Sequence, residues 1–295
     1  MPSLLTGLAM RLERRASRVP RWARGHSVGA PGVRREDIVL VSGAGYQIHA
    51  RLHMPAQDKR AAAAKAGRPA VLLCPGIDDP GSVFEGYGPP IAADEIARLG
   101  ATCMHFDPAG RGRSWGPEDF GGPEHQDDVR TALRYLLGRP DVIASRSGVV
   151  AISLGIAMAV GALADAAEDI QPGWLLDWEG PCDREVITAG GKIMHPAMGH
   201  GLDDEAYWRP REAVRHVARL RCGYFRFQAA RDHAQPGELR HAERMIRSAS
   251  GGDLPWFQLN DHPRNRVPER PEYFGSGYRN ANRILLRKIA EFTAL

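Results

Sequence analysis

The chain has 295 residues, of which 43% are hydrophobic and 25% are charged, with a formal net charge of +4. These values are ordinary for a globular protein, and the length fits one large α/β domain. No apolar run reaches the roughly 18 residues that cross a bilayer. Four scattered cysteines without a Cys-x-x-Cys pair predict free thiols. Free thiols favour a reducing compartment, so we expect a cytoplasmic protein.

Positive charge is concentrated at the N-terminus, where residues 1–35 hold eight arginines and one acid, Glu13. Leu4, Leu5, Leu8 and Leu12 recur at helical spacing, which predicts a short basic amphipathic helix over residues 3–18. Such a helix either makes a weak contact with a membrane surface or packs across the body with its arginines in solvent. We favour packing. The division into domains is then a basic extension, 1–35, and one domain, 36–295.

Strand and helix patterns alternate through the rest of the chain. The strands are predicted at Asp37–Val41, Tyr46–Met54, Ala70–Cys74, Thr102–Phe106, Gly148–Ile152, Trp174–Asp177, Tyr224–Ala229 and Trp256–Leu259. The helices are predicted at Pro89–Leu99, Glu124–Leu137, after Ser153, at Gly237–Ser248 and at Asn280–Phe292. This alternation predicts an α/β fold with a mostly parallel sheet of about eight strands, covered by helices on both faces. The long connection at about 179–220 predicts a small helical cap.

The segment Gly148–Gly155 predicts a sharp strand–turn–helix with Ser153 at its crest. Such a turn needs small residues two positions before and two after the serine, and Ala151 and Gly155 occupy those positions. A buried strand that ends in a serine helix cap has the same local pattern. The turn alone therefore leaves both interpretations open.

Other chemically capable residues follow the remaining predicted strands. Asp232 and His233 follow the strand Tyr224–Ala229, and His262 follows the strand Trp256–Leu259. Active sites of open parallel sheets lie at the carboxyl ends of the strands. A nucleophile, an acid and a base therefore occur in the order serine, aspartate and histidine, which is the set that acyl transfer requires.

Four motifs together resemble the α/β-hydrolase family over about residues 37–292, in particular its esterase, dienelactone-hydrolase and oligopeptidase-like branches. They are the Pro75-Gly76 turn, the loop from Asp107 to Ser114, the turn at Ser153, and Asp232 followed by His262. The segment 207–213 is similar to an aromatic-arginine helix of those branches.

The resemblance implies a serine hydrolase that cleaves a carboxylic ester through an acyl-enzyme. Ser153 would be the nucleophile, His262 the base and Asp232 its acid. The backbone N–H groups of Ile77 and Leu154 would form the oxyanion hole. The implied partner is a small-molecule ester or acyl substrate, with no cofactor, metal or nucleic acid.

Several assignments have alternatives. Asp177 is a second candidate acid, and His195 and His200 are further candidate bases, whereas His233 is interpreted as a surface or packing residue. A peptidase, an amidase or a thioesterase would use the same machinery, and a non-catalytic ligand-binding protein could have the same fold.

Two more residues are candidates for the substrate pocket. Asp78 lies beside the expected oxyanion turn, and Trp208 lies in the expected cap. For each of them a structural role is the competing interpretation.

Overall fold

We describe the fold from a computed structural model, which covers residues 31–56, 67–86, 90–168, 170–189, 198–233 and 239–294. The helix predicted over residues 3–18 lies outside these ranges. Within them, none of the helices combines the length and the apolar character needed to cross a membrane.

Eight strands form one sheet in the order β1-β2-β4-β3-β5-β6-β7-β8. They are β1 Val33–Val41, β2 Gln47–Pro55, β3 Ala70–Cys74, β4 Thr102–Phe106, β5 Gly148–Ile152, β6 Trp174–Trp178, β7 Gly223–Phe227 and β8 Phe257–Leu259. β2 pairs antiparallel with β1 and with β4, and the other pairs are parallel. The carboxyl ends of β3 to β8 therefore meet at one edge.

Helices cover both faces of this sheet. They are α1 Ala93–Arg98, α2 Pro123–Leu137, α3 Gly155–Ala164, α4 Arg184–Ala189, α5 Glu205–Trp208, α6 Ala213–His216, α7 Arg240–Ser250 and α8 Tyr278–Ala294. Buried residues of α2, α3 and α7 form one hydrophobic cluster. Those of α1 and α8 belong to a second cluster.

Side chains of each central strand alternate between the two clusters, as the pleat of a strand requires. In β3, Leu72 and Cys74 belong to the first cluster, while Val71 and Leu73 belong to the second. Because both faces are buried, such strands are continuous apolar runs in the sequence. The predicted α/β architecture with eight strands is confirmed.

One strand end differs from the prediction in a way that affects the site. β7 ends at Phe227 instead of Ala229, because the backbone beyond it bonds to loops. The Gln228 N–H donates to Asn260 Oδ1, and the Ala229 N–H donates to Glu179 Oε1. The chain just after β7 is therefore hydrogen-bonded to Glu179, the residue that follows β6.

Candidate active site

Ser153 lies at the crest of a sharp turn between β5 and α3. Its φ angle of 53° is in the left-handed region, which a residue other than glycine seldom adopts. Gly155 allows the helix to approach β3, since a Cβ at this position would lie 2.5 Å from the carbonyl oxygen of Pro75. The small residues around Ser153 thus permit a strained turn that presents its side chain at the sheet edge.

A cavity of about 420 Å³ lies against Ser153. Its apolar wall includes Val83, Phe84 and Ile152, and its polar groups include Asp79 and His233. A second cavity of about 430 Å³ shares Trp178, His233 and Tyr278 with the first. His233 is therefore the histidine that borders both spaces, and His262 lines neither.

The His233 ring is held on one edge and on one face. Its Nδ1 lies 2.8 Å from Glu179 Oε2, and the indole of Trp178 stacks on the ring with a centroid distance of 4.4 Å. The side chain is 20% exposed. With Nδ1 engaged by a carboxylate, Nε2 is the nitrogen left for chemistry in the cavity.

Glu179 directly follows β6 and is almost completely buried. Its φ angle is 52°, and its N–H donates to the carbonyl oxygen of Phe227. The Ala229 N–H donates to Oε1, and the His233 N–H donates to Oε2. A carboxylate that accepts backbone N–H groups is fixed in position before any substrate arrives.

The two predicted acids, Asp232 and Asp177, each have closer partners than a cavity-lining histidine. Asp232 is buried, with Gln228 Nε2 donating to its Oδ2, while its Oδ1 is 3.8 Å from His233 Nδ1. Asp177 forms an ion pair of 2.7 Å with the fully buried Arg226. Asp177 also accepts a hydrogen bond from the hydroxyl of Tyr224. Glu179 is thus nearer to a cavity-lining histidine than either of them.

The predicted base, His262, uses its ring in a structural contact. The backbone N–H of Glu272 donates to its Nε2 at 2.8 Å, which occupies the lone pair that a base needs. The predicted pairing of Asp232 with His262 is not among the contacts of the described chain. His195 lies outside the described residues, and His200 pairs with Asp204 at 2.7 Å.

The residues predicted for the oxyanion hole are Ile77 and Leu154. Ile77 lines the cavity, and Leu154 directly precedes α3. The buried Arg111 donates from Nη1 to the carbonyl oxygen of Gly76 at 2.6 Å. Because a peptide group is planar, fixing this carbonyl also fixes the direction of the Ile77 N–H. Arg111 is held in turn by Glu118, 2.7 Å from its Nε.

Of the two aspartates in this loop, Asp79 lines the cavity and Asp78 is exposed. Burial and the neighbouring charge of Asp78 raise the pKa of Asp79 to about 6, against the opposing charge of Arg111. Asp78 was predicted for the pocket, and Asp79 is the better-placed residue.

Trp208 is not among the residues that line the cavity beside Ser153. It is fully buried in a small cluster with Leu154, Ala157, Ile187 and Met198, and its Nε1–H donates to the carbonyl oxygen of Gly201. The segment predicted as a cap thus packs against the residue that follows Ser153. Its role in substrate choice stays a prediction.

Glu179, Asp232 and His233 each offer a ligand atom within 4.8 Å of the others, a spacing that a metal ion could also use. However, both oxygens of Glu179 already accept hydrogen bonds from the protein. This donor pattern fits a carboxylate–histidine pair better than an ion site.

Neither a protein-family model nor a curated protein matches this sequence. Solved structures are similar in fold. A puromycin-hydrolyzing peptidase from Mycobacterium tuberculosis has a TM-score of 0.66 at 14% identity, covering 91% of this chain and 40% of that one. An acetyl xylan esterase from Paenibacillus sp. R4 has a TM-score of 0.62 at 17% identity, covering 90% and 86%.

An esterase from Pyrococcus furiosus is similar as well, with a TM-score of 0.61 at 12% identity, covering 88% of this chain and 91% of that one. The chain has the α/β-hydrolase fold. It spans 35% to 41% of the length of the similar peptidases. At these identities the likeness to other α/β-hydrolase structures concerns the fold alone.

The sequence contains a signal for both Glu179 and His233. Glu179 lies two positions after the predicted strand Trp174–Asp177, where the predicted long connection begins. His233 is adjacent to the expected acid, Asp232, which favours a packing role in the sequence prediction. Considering every polar residue within four positions of a predicted strand end includes both.

Proposed function

We propose that this protein is a serine hydrolase that cleaves carboxylic esters through an acyl-enzyme, with Ser153 as nucleophile, His233 as base and Glu179 as acid. The proposal rests mainly on one observation. A histidine whose Nδ1 is 2.8 Å from a buried carboxylate lines the same cavity as a serine in a left-handed turn.

The proposed reaction begins at the serine hydroxyl. His233 Nε2 takes the proton from Ser153 Oγ as Oγ attacks the ester carbonyl carbon, and Glu179 stabilises the resulting imidazolium. The imidazolium then protonates the alcohol oxygen as the ester C–O bond breaks. Water hydrolyses the acyl-enzyme by the same steps, with His233 again as base and then as acid.

Negative charge on the attacked oxygen is stabilised in this proposal by the N–H groups of Ile77 and Leu154. The loss of one such donor typically costs about 2.7–4 kcal/mol of transition-state stabilisation. The hydrogen bond from Arg111 to Gly76 holds the Ile77 peptide in place, so this donor is oriented in the resting protein.

The cavity wall supports an ester with a modest apolar group. Val83, Phe84, Pro90, Ile152 and Tyr278 provide apolar surface around Ser153. A volume of about 420 Å³ lies at the small end of the range for ligand sites. Similar folds include esterases and peptidases, so amide, peptide and thioester substrates are the alternatives that the test must separate.

The test uses purified full-length protein and a fluorophosphonate probe that reacts with activated serines. We expect labelling of the wild type and none of Ser153→Ala. A panel of p-nitrophenyl esters of increasing chain length, beside aminoacyl p-nitroanilides, should show ester turnover highest for short acyl groups. A folded wild type that is neither labelled nor active on any substrate would contradict the proposal.

A further inference from the structure

A second cluster of histidines lies away from Ser153. His53 on β2 and His105 on β4 are 0% and 4% exposed, and their ring centroids are 5.1 Å apart. Glu85 ends a short 3-10 turn, Gly81–Glu85, and its Oε1 lies 3.0 Å from His105 Nε2. One ligand atom from each of the three residues lies within 4.8 Å of the other two.

Among the described residues, three ring nitrogens of this cluster lack a hydrogen-bond partner. His53 Nε2, His105 Nδ1 and His105 Nε2 are buried and make no hydrogen bond of good geometry in the described chain. A buried polar group without a partner is destabilising, so such groups often mark a bound water or ion. Two histidine rings with such nitrogens beside one carboxylate point to a ligand that accepts electron pairs.

Residues outside the cluster orient two of the three side chains. Asp94 Oδ1 lies 2.7 Å from His53 Nδ1, and Arg35 pairs with the same carboxylate. Arg51 Nη1 donates to Glu85 Oε2 at 2.8 Å, which leaves Oε1 on the side of His105. A carboxylate on the far nitrogen of a histidine is the usual support of a metal-ligating imidazole, because it fixes the tautomer and the ring.

We propose that His53, His105 and Glu85 form a binding site for a divalent transition-metal ion, with Zn²⁺ as the fitting ion. Zn²⁺ binds imidazole nitrogen and carboxylate oxygen in a tetrahedron, and three protein ligands leave a fourth position for water. Two nitrogens and one oxygen disfavour Mg²⁺ and Ca²⁺, which take oxygen ligands. His53 binds through Nε2, since Asp94 holds its Nδ1.

The site would join three elements near the first cavity. Glu85 directly follows Val83 and Phe84, which line the cavity beside Ser153. A metal that links Glu85 to β2 and β4 would hold the adjacent cavity wall, Val83 and Phe84, against the sheet. The expected consequence of binding is a higher melting temperature, with activity as a secondary readout.

The experiment uses full-length protein treated with a chelator and dialysed. Titration with ZnCl₂ by calorimetry should give one tight equivalent and a raised melting temperature, and Co²⁺ should give the visible absorption bands of a tetrahedral site. We expect His53→Gln and His105→Gln each to abolish the binding of this equivalent of Zn²⁺. Asp94→Asn should weaken the affinity about 10- to 100-fold, as the loss of a supporting carboxylate does.

The matched control is His49→Gln, a histidine on the same strand outside the cluster, which should bind Zn²⁺ as the wild type does. Should a cluster variant fail to fold, anomalous diffraction at the zinc edge from wild-type crystals locates the ion directly. A peak among His53, His105 and Glu85 supports the proposal. Unchanged affinity in the folded histidine variants, no bound equivalent in the wild type, or a peak beside His233 instead would overturn it.

Discussion

Three hydrogen bonds converge on the carboxylate of Glu179, two from backbone N–H groups and one from the ring of His233. The geometry of the pair is therefore determined before substrate binds. What the carboxylate adds in the reaction is charge, which stabilises the imidazolium as it forms.

We predict that Glu179→Gln lowers kcat on a p-nitrophenyl ester by about three to four orders of magnitude, because the amide removes the charge that pairs with the imidazolium. Asp232→Asn should lose much less, since Oδ1 of Asp232 is 3.8 Å from the same nitrogen. Circular dichroism checks that both variants fold. A larger loss in Asp232→Asn would return the acid to the position that the sequence analysis favoured.

A second prediction at this scale concerns Arg111, which bonds both the Gly76 carbonyl and Glu118. Arg111→Lys should lower kcat about 10- to 100-fold with a smaller change in KM, because one ammonium cannot keep this forked geometry. The control is Arg113→Lys in the same loop, whose side chain is 59% exposed. Equal kcat values for the two variants would show that Arg111 does not position the Ile77 peptide.

Some residues of the proposed site can be found from the sequence alone, and others cannot. Ser153 and its small neighbours are recognisable because a sharp turn imposes local requirements on three adjacent positions. The partnership of His233 with Glu179 joins two residues that are 54 positions apart in the chain, one after β6 and one after β7. That contact depends on how two loops turn back over the sheet edge, and no local pattern encodes it.

At the level of elements, the contact between β3 and α3 is as close as the backbone allows. We predict that Gly155→Ala lowers the free energy of unfolding by about 1–3 kcal/mol, because its Cβ would meet the Pro75 carbonyl at 2.5 Å. Urea denaturation measures the change. Gly251→Ala, with a nearest contact of 3.5 Å, is the control and should stay within about 0.5 kcal/mol.

If both glycine variants unfold at the same urea concentration, the close approach of α3 to β3 is not the reason for glycine at position 155.

The bounds of β3, β4 and β5 agree with the sequence prediction to the residue, because each is an apolar run buried on both faces. The end of β7 was less predictable, since Ala229 bonds to a side chain from another loop.

At the level of the whole molecule, the raised pKa of Asp79 links the cavity to global stability. The folded protein holds this proton more tightly than the unfolded chain, so the free energy of unfolding falls as pH rises from about 4 to about 6. We predict that Asp79→Asn, measured by urea denaturation, is more stable than the wild type at pH 8 by up to about 3 kcal/mol and similar at pH 4.

Asp253→Asn, at an exposed position, is the control for this comparison and should follow the wild type at both pH values. If the stability difference between Asp79→Asn and the wild type does not change with pH, the titration of Asp79 is not the cause of the pH dependence.

The α/β architecture itself was predictable because strand and helix patterns alternate over the whole domain. The basic extension, the cytoplasmic location and the cap remain predictions.

The central claim is that His233, and not His262, is the base that activates Ser153. The most direct measurement is kcat on a short p-nitrophenyl ester for His233→Gln and His262→Gln, both checked for folding. Glutamine can still accept the hydrogen bond from the Glu272 N–H that His262 accepts now. We predict a loss of about 1000-fold or more for His233→Gln and less than about tenfold for His262→Gln. The reverse order of losses would contradict the account.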